Sequence, residues 1–222
     1  MAAIANICTG VGSVIFAIIS GFVIVALWQD ISTLNSAIGE EVNALADLSH
    51  TAQAAEHGVG RELLDAIRDY VNIVVTKEWP AMKSGDPVGN SGSEKLEQLY
   101  RLLRVQTDVP VSFDAERSRL HGTLDILAHS RRIRLGGYAD HIPAVIWGAL
   151  YGNVVALIVM LRISTSGNRK VKFMSGFNVG RIALFGLTVS LLLFPIVVMQ
   201  ILDHPFSANL KIDESTFRGM ID

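Results

Sequence analysis

Residues 7–28 form a stretch without a charged side chain, and this stretch constrains the possible fold more than any other part of the sequence. A helix of about 20 apolar residues is long enough to cross the hydrocarbon core of a bilayer. The stretch has neither the basic leader nor the small-residue cleavage site of a signal peptide. We therefore expect it to be retained as a membrane anchor.

Two further apolar stretches, 143–161 and 182–202, predict a second and a third transmembrane helix. Only 18% of the residues are charged, whereas a typical soluble domain has about 25%. The sequence therefore predicts an all-α integral membrane protein, with three transmembrane helices and a helical extramembrane domain. Its predicted parts are a first transmembrane helix at 1–30, the helical domain at 31–140, the second and third transmembrane helices at 141–203 and a C-terminal tail at 204–222.

Outside the membrane, glycine and proline residues mark the expected helix ends. Apolar residues recur at threes and fours after the first span, so we expect one long helix that continues out of the bilayer as far as the Gly-Val-Gly run at 58–60. A second helix is predicted over 61–79, with Pro80 ending it. A later helix is expected to stop at the glycine pair 136–137.

Small residues recur at intervals of four along the first and second predicted spans. Such stripes allow another helix backbone to approach closely, and one of them contains a GxxxG pair. A chain with three spans offers too few helices to cover both stripes, so we expect a homo-oligomer. The predicted helix-packing residues are Ser13, Ala17, Gly21, Ala144, Gly148, Gly152 and Ala156.

Four polar residues in or near the second span are candidates for function. Asn153 lies near mid-span, where an amide needs a partner, and either a structural hydrogen bond or a polar pore position fits it. Arg131, Arg132 and Arg134 precede the span, and either they attract anions to a pore mouth or they anchor the helix at the membrane interface.

The sequence offers little evidence for catalysis or for bound cofactors. His121, Asp125 and His129 share one helix face at intervals of four, which suits either a transition metal or an ordinary polar face, and the polar face is the preferred interpretation. The sequence has no phosphate-binding loop, paired CxxC, HExxH or GxSxG motif, and no basic patch interleaved with aromatic residues. We predict no enzyme activity, no metal or cofactor and no nucleic-acid partner.

The charge distribution predicts an orientation in the bacterial inner membrane. The connection at 162–181 carries arginine and lysine without an acid, whereas the segment 31–140 contains many acids, including Glu41. Short basic loops remain in the cytoplasm. The loop is therefore expected to be cytoplasmic and the helical domain extracytoplasmic, with the reverse orientation as the alternative, because no basic residue precedes the first span.

The sequence resembles the bestrophin-like family of bacterial membrane proteins over nearly the whole chain. The resemblance rests on five segments in order, and together they are more specific than any one alone. These segments are GFVIVALWQ at 21–29, EEVNALADL at 40–48, YVNIVVTKEWPAM at 70–82, RSRLH at 117–121 and LDHPFSANLKI at 202–212.

This resemblance implies a channel, because bestrophins proper are pentameric anion channels with a narrow neck of bulky apolar residues. The neck positions would correspond to Val14, Ile18 and Phe22. We therefore expect an oligomeric channel, preferring anions, with the first span lining the pore. The alternative is a non-enzymatic accessory subunit of a larger membrane complex, with lipid and other membrane subunits as partners.

Overall fold

The computed structural model of the protein describes residues 2–54, 59–105, 114–139, 142–166, 175–206 and 215–219. Within these ranges the regular structure is helical. The elements are α1 (Ala2–Ala54), α2 (Val59–Ile73), a π-helical turn (Val74–Glu78), α3 (Trp79–Ser84), α4 (Ser91–Val105), α5 (Asp114–Ala139), α6 (Ala144–Ser166), α7 (Ser175–Leu202) and α8 (Ser215–Arg218).

Three helices, α1, α6 and α7, contain stretches that are long and apolar enough to cross a membrane. The prediction of an all-α membrane protein with three spans is confirmed. The predicted long first helix is also confirmed, because α1 runs without interruption through 53 residues. Its polar half buries a stripe at intervals of three and four that includes Leu34, Ile38, Leu45 and Leu48.

The chain divides into two compact units. One unit comprises residues 1–29 and 141–204 and contains the three apolar stretches; it is called the membrane unit below. The other comprises residues 30–140 and 205–222 and is called the extramembrane unit. The helix α1 contributes residues to both units.

Pro80 does not end the second helical segment, contrary to the prediction. A proline in a regular α-helix lacks the N–H for the carbonyl four residues earlier, and its ring collides with that carbonyl. Here the preceding turn is π-helical, and the N–H of Trp79 donates to the carbonyl of Val74, five residues back. The wider turn lets the helix restart with Pro80 in the first turn of α3, where a free N–H is not needed.

The glycine pair 136–137 does not stop α5 either, since that helix continues to Ala139. A helical glycine costs only about 1 kcal/mol relative to alanine, so helix packing can override it. At Gly137 a Cβ atom would lie 3.2 Å from Leu34 Cδ1, whereas a Cβ at Gly136 would meet nothing within 4 Å. Gly137 therefore allows α5 to lie close to α1 in the extramembrane unit.

Part of the C-terminal tail belongs to the core of the extramembrane unit. Trp79 is fully buried. Its ring centroid lies 5.6 Å from that of Phe206 and 5.7 Å from that of Phe217. Phe217, in the predicted C-terminal tail, lies on the short helix α8 and is completely buried.

Candidate functional site

The predicted pore residues lie on an uncovered face of α1. Val14, Ile18 and Phe22 are 58%, 54% and 73% exposed. At 100° per residue, the buried Phe16 and Leu27 fall on the opposite side of the helix. The helix therefore buries one apolar face within its own chain and leaves a second, bulky apolar face free. In lipid, that second face meets acyl chains, another copy of the chain or a pore.

The small-residue stripe of α1 is only partly used within the chain. Ser13, Ala17 and Gly21 border a cavity shared with α7. A Cβ atom at Gly21 would meet no atom within 4 Å, whereas one at the neighbouring Gly12 would lie 3.0 Å from Leu157 Cδ2 on α6. The close helix approach in this unit is therefore at Gly12, and no described residue packs against Gly21.

The small-residue stripe of α6 is not covered by the described helices of its own chain. Ala144, Gly148, Gly152 and Ala156 are all exposed, and a Cβ at either glycine would meet nothing within 4 Å in the described chain. The buried face of α6 instead carries Leu150, Val154 and Leu157. The stripe is thus available to a partner outside the single chain.

Asn153 lies on the second span without a satisfied carbonyl group. Its Oδ1 atom is buried and accepts no hydrogen bond from the described residues. An unpaired amide oxygen in an apolar surrounding is costly. The described residues therefore supply no hydrogen bond to this oxygen.

A buried ion-pair network lies in the extramembrane unit and is centred on Arg134. The Nε of this arginine donates to Glu41 Oε2 at 2.7 Å, and one terminal nitrogen donates to Glu41 Oε1 at 3.0 Å and to Glu78 Oε2 at 2.8 Å. The side chains of Arg134 and Glu41 are both 0% exposed. The fork-shaped guanidinium suits this arrangement, because it can address two carboxylates at once.

Arg131 and Tyr70 complete this network. Arg131 donates to Glu78 at 2.6 Å, and the Tyr70 hydroxyl donates to Glu41 at 2.6 Å. Two arginines thus balance two glutamates, so the buried network has no net charge. The Arg134 guanidinium also lies 5.8 Å from the ring centroids of Trp79 and of Phe217, within the range of a cation–π interaction.

The surroundings shift two pKa values in this network. Burial, and then the negative charge of Glu41, raise the pKa of the Tyr70 hydroxyl well above its ordinary value. Burial alone would lower the pKa of Arg134, but the charge and hydrogen bonds of Glu41 outweigh that effect and raise it. Tyr70 therefore stays neutral and Arg134 stays charged across the physiological pH range.

Two of the three arginines before the second span belong to this network. Arg131 and Arg134 were candidates for attracting anions, but both are buried and paired with carboxylates. Their charges are neutralised by Glu41 and Glu78 inside the extramembrane unit. Arg132, by contrast, is exposed.

Sequence reasoning missed Glu41, Glu78 and Gly92. A signal for the two acids was present, because Glu41 falls between Ile38 and Leu45 on the buried stripe of α1 and Glu78 follows Val74 by four residues. Gly92 had no such signal. A Cβ there would overlap Glu78 Oε1 and lie 2.9 Å from an Arg131 nitrogen, so only glycine leaves room for this ion pair.

The face with His121, Asp125 and His129 takes part in ordinary polar contacts. Asp125 accepts a hydrogen bond from the Tyr100 hydroxyl at 2.8 Å. Burial and this hydrogen bond raise the pKa of Tyr100 to about 12. Among the residues that the structure describes, no group of three His, Cys, Asp or Glu side chains is placed to hold a metal ion.

The fold and the sequence identify the family. A helical membrane protein is the class that the three spans and the extramembrane unit define. The family model described as Bestrophin-like domain matches residues 2–217, so the chain belongs to the bestrophin-like family. Among curated protein sequences there is no significant match.

Solved structures of a bacterial bestrophin homologue share the fold. One point mutant of the homologue from Klebsiella pneumoniae is 14% identical, with a TM-score of 0.73, and covers 100% of this chain and 92% of that chain. A second point mutant is 15% identical, with a TM-score of 0.70 and the same coverage. Family membership supports a channel rather than an enzyme and an oligomeric membrane protein in general.

Removing the central guanidinium should destabilise the extramembrane unit. We expect Arg134→Met to lower the free energy of unfolding by about 3–5 kcal/mol, because two carboxylates lose their buried counterion. The exposed Arg132→Met is the matched control and should change stability by less than about 0.5 kcal/mol. Thermal unfolding in detergent, followed by circular dichroism, measures both. Equal stability of the two variants would contradict a structural role for Arg134.

The raised pKa of Tyr70 predicts a loss of stability in alkali. A hydroxyl whose pKa is higher in the folded state contributes fully below the unfolded pKa of about 10, and the contribution falls as pH rises above that value. Between pH 9 and pH 11, wild type should lose about 1.4 kcal/mol more than Tyr70→Phe. Unfolding at the two pH values in the same detergent measures the difference. Parallel losses in the two proteins would mean that Tyr70 ionises in the folded state.

Proposed function

We propose that the protein is an oligomeric channel whose pore is lined by the membrane-spanning part of α1. The observation that carries the proposal is the bulky apolar face of Val14, Ile18 and Phe22, which α6 and α7 leave uncovered in the single chain. A ring of such helices, each turning this face to a common axis, would enclose a hydrophobic constriction. Constrictions of this kind gate by losing their water.

The proposed ions are anions, on the strength of the bestrophin-like family. No charged side chain lies within 7–28, so the proposed constriction itself carries no fixed charge. Arg132 remains the exposed member of the arginine cluster and is the remaining candidate for attracting anions from solution. The buried Arg131 and Arg134 have no part in this proposal.

The proposed neck predicts a gain of conductance when it is widened. Ile18→Ala or Phe22→Ala should raise the open probability severalfold in planar bilayers, because a wider and less apolar constriction stays wet more often. The control is Ile19→Ala, which removes an exposed isoleucine about 100° around the same helix. It should leave the conductance unchanged. If neither wild type nor either neck variant conducts ions, the result would count against a pore lined by α1.

We further propose that the α6 stripe forms the contact between neighbouring copies. Most of the membrane-spanning surface is uncovered in one chain, since only 11–17% of each span's apolar window is buried. Small residues permit the close backbone approach on which helix association in lipid depends. The exposed Gly148 and Gly152 provide such a surface.

Filling this stripe should break the assembly. Gly148→Leu is expected to shift the particle from a ring to smaller species on native gels, because the leucine side chain holds the two backbones apart. Gly148→Ala keeps a small residue and should preserve the ring. Co-migration of wild type with unrelated chains, and no ring of its own, would instead favour an accessory subunit in a larger complex.

We propose that the protein lies in the bacterial inner membrane. The basic loop 162–181 is placed in the cytoplasm and the helical domain 31–140 on the extracytoplasmic side. The support is the excess of arginine and lysine in that short loop. In a Cys8→Ser background, a membrane-impermeant maleimide should label Lys77→Cys in intact spheroplasts and should leave Asn168→Cys unlabelled. The opposite labelling pattern would place the helical domain in the cytoplasm.

A further inference from the structure

The π-helical turn Val74–Glu78 lies between two members of the ion-pair network, Tyr70 and Glu78. Two turns of a regular α-helix take about seven residues. A π turn takes about one residue more than an α turn, because its hydrogen bonds reach five residues back instead of four. One α turn and one π turn together therefore take about eight residues. Counted from Tyr70, they return to the same face of the helix at Glu78.

The hydrogen bonds show that Tyr70 and Glu78 do share this face. The Tyr70 hydroxyl donates to Glu41 Oε1 at 2.6 Å, and one terminal nitrogen of Arg134 donates to the same oxygen at 3.0 Å. That nitrogen also donates to Glu78 Oε2 at 2.8 Å. Lys77, which is only seven residues after Tyr70, is exposed. The π turn thus directs Glu78, and not Lys77, towards the arginines.

A regular α-helix through the same residues would reverse the charge on this face. Two α turns from Tyr70 end at Lys77, so an ammonium group would be turned towards Arg131 and Arg134. Glu78 would lie about 80° away around the helix. Buried arginines that lose their carboxylate partner and gain a second cation are strongly destabilised. The helix register therefore decides whether the buried charges attract or repel one another.

Pro80 is incompatible with the α-helical register. In that register it would have no N–H to donate to the carbonyl of Thr76, four residues earlier, and its ring would collide with that carbonyl. In the π turn, the N–H of Trp79 donates to the carbonyl of Val74, and Pro80 lies in the first turn of α3. The proline therefore disfavours the register that would present the wrong charge.

We propose that the π turn and Pro80 together fix the register of this helix, so that Glu78 faces Arg131 and Arg134 while Lys77 stays in solvent. The extra residue in the turn and the proline form one conformational device, and each is tolerated because of the other. All of these residues lie in the extramembrane unit, so the proposal is independent of the channel function.

Deletion of Thr76, whose side chain is exposed, tests this device in the full-length protein in detergent. Tyr70 and Glu78 are then seven residues apart, so a regular α-helix aligns them, but Pro80 again collides with the carbonyl four residues earlier. The deletion alone should lower the midpoint of thermal unfolding by about 10 °C. In a Pro80→Ala background it should lower the midpoint by less than about 2 °C. Circular dichroism measures all four proteins.

Two further measurements make the result specific. Arg134→Met should lower the midpoint as much in the rescued protein as in wild type, because Glu78 has kept its place. Deletion of Gly89, in the exposed loop after α3, is the matched control and should cost the same with and without Pro80→Ala. If the Thr76 deletion alone gives no folded protein, Pro80→Ala should restore the fold. The proposal is overturned if the Thr76 deletion is equally harmful in both backgrounds, or if Arg134→Met has no effect in the rescued protein.

Discussion

The buried charge of Arg134 is the constraint on which the extramembrane unit depends. A guanidinium with 0% exposure is tolerable only when carboxylates surround it. Its two partners come from α1 and from the π-helical turn, so one side chain joins three separate elements. Such a network favours one arrangement of the helices. Any shift that separates the charges leaves one of them unpaired in an environment of low dielectric constant.

Several irregular features of the fold lie close to Glu78. The π turn accommodates Pro80 and ends at Glu78, directly before the buried Trp79. Gly92 leaves the space that the Glu78 carboxylate occupies beside Arg131. The C-terminal Phe217 then covers Arg134. Local departures from regular helix are thus concentrated where buried charges have to meet.

The positions of the long helices could be predicted from the sequence, whereas the residues that pair over long sequence distances could not. The three spans and the unbroken α1 follow from hydropathy and from the absence of helix-breaking residues in 7–54 other than tolerated glycines. The pairing of Glu41 with Arg134 joins positions 93 residues apart, and no local pattern specifies it. The position of Arg131, Arg132 and Arg134 before a membrane span suggested that they lie at the membrane interface. Tertiary packing decides which of them is buried, and this packing cannot be predicted from the local sequence.

Pro80 and the pair 136–137 failed as helix stops for a related reason. A proline or a glycine inside a helix destabilises it by about 1 to 3 kcal/mol, and tertiary contacts can outweigh this cost. At Gly137 the missing side chain is itself the reason for the contact with Leu34, so the residue that weakens the isolated helix strengthens its packing. The small-residue stripes of α1 and α6 were recognisable in sequence for the same geometric reason, but sequence does not say which helix they meet.

Both units contain buried polar side-chain atoms without a hydrogen-bond partner among the described residues, and in the extramembrane unit these are Trp79 Nε1 and Arg131 Nε. In the extramembrane unit, the carboxylates of Glu41 and Glu78 are bonded, although both are buried. In the membrane unit, the hydroxyl of Ser20 and the carbonyl of Asn153 are buried and unbonded among the described residues. Lipid cannot supply hydrogen bonds to them. Neither atom has a partner among the described residues, and the exposed glycine stripe of α6 leaves room for a helix of another chain to approach closely.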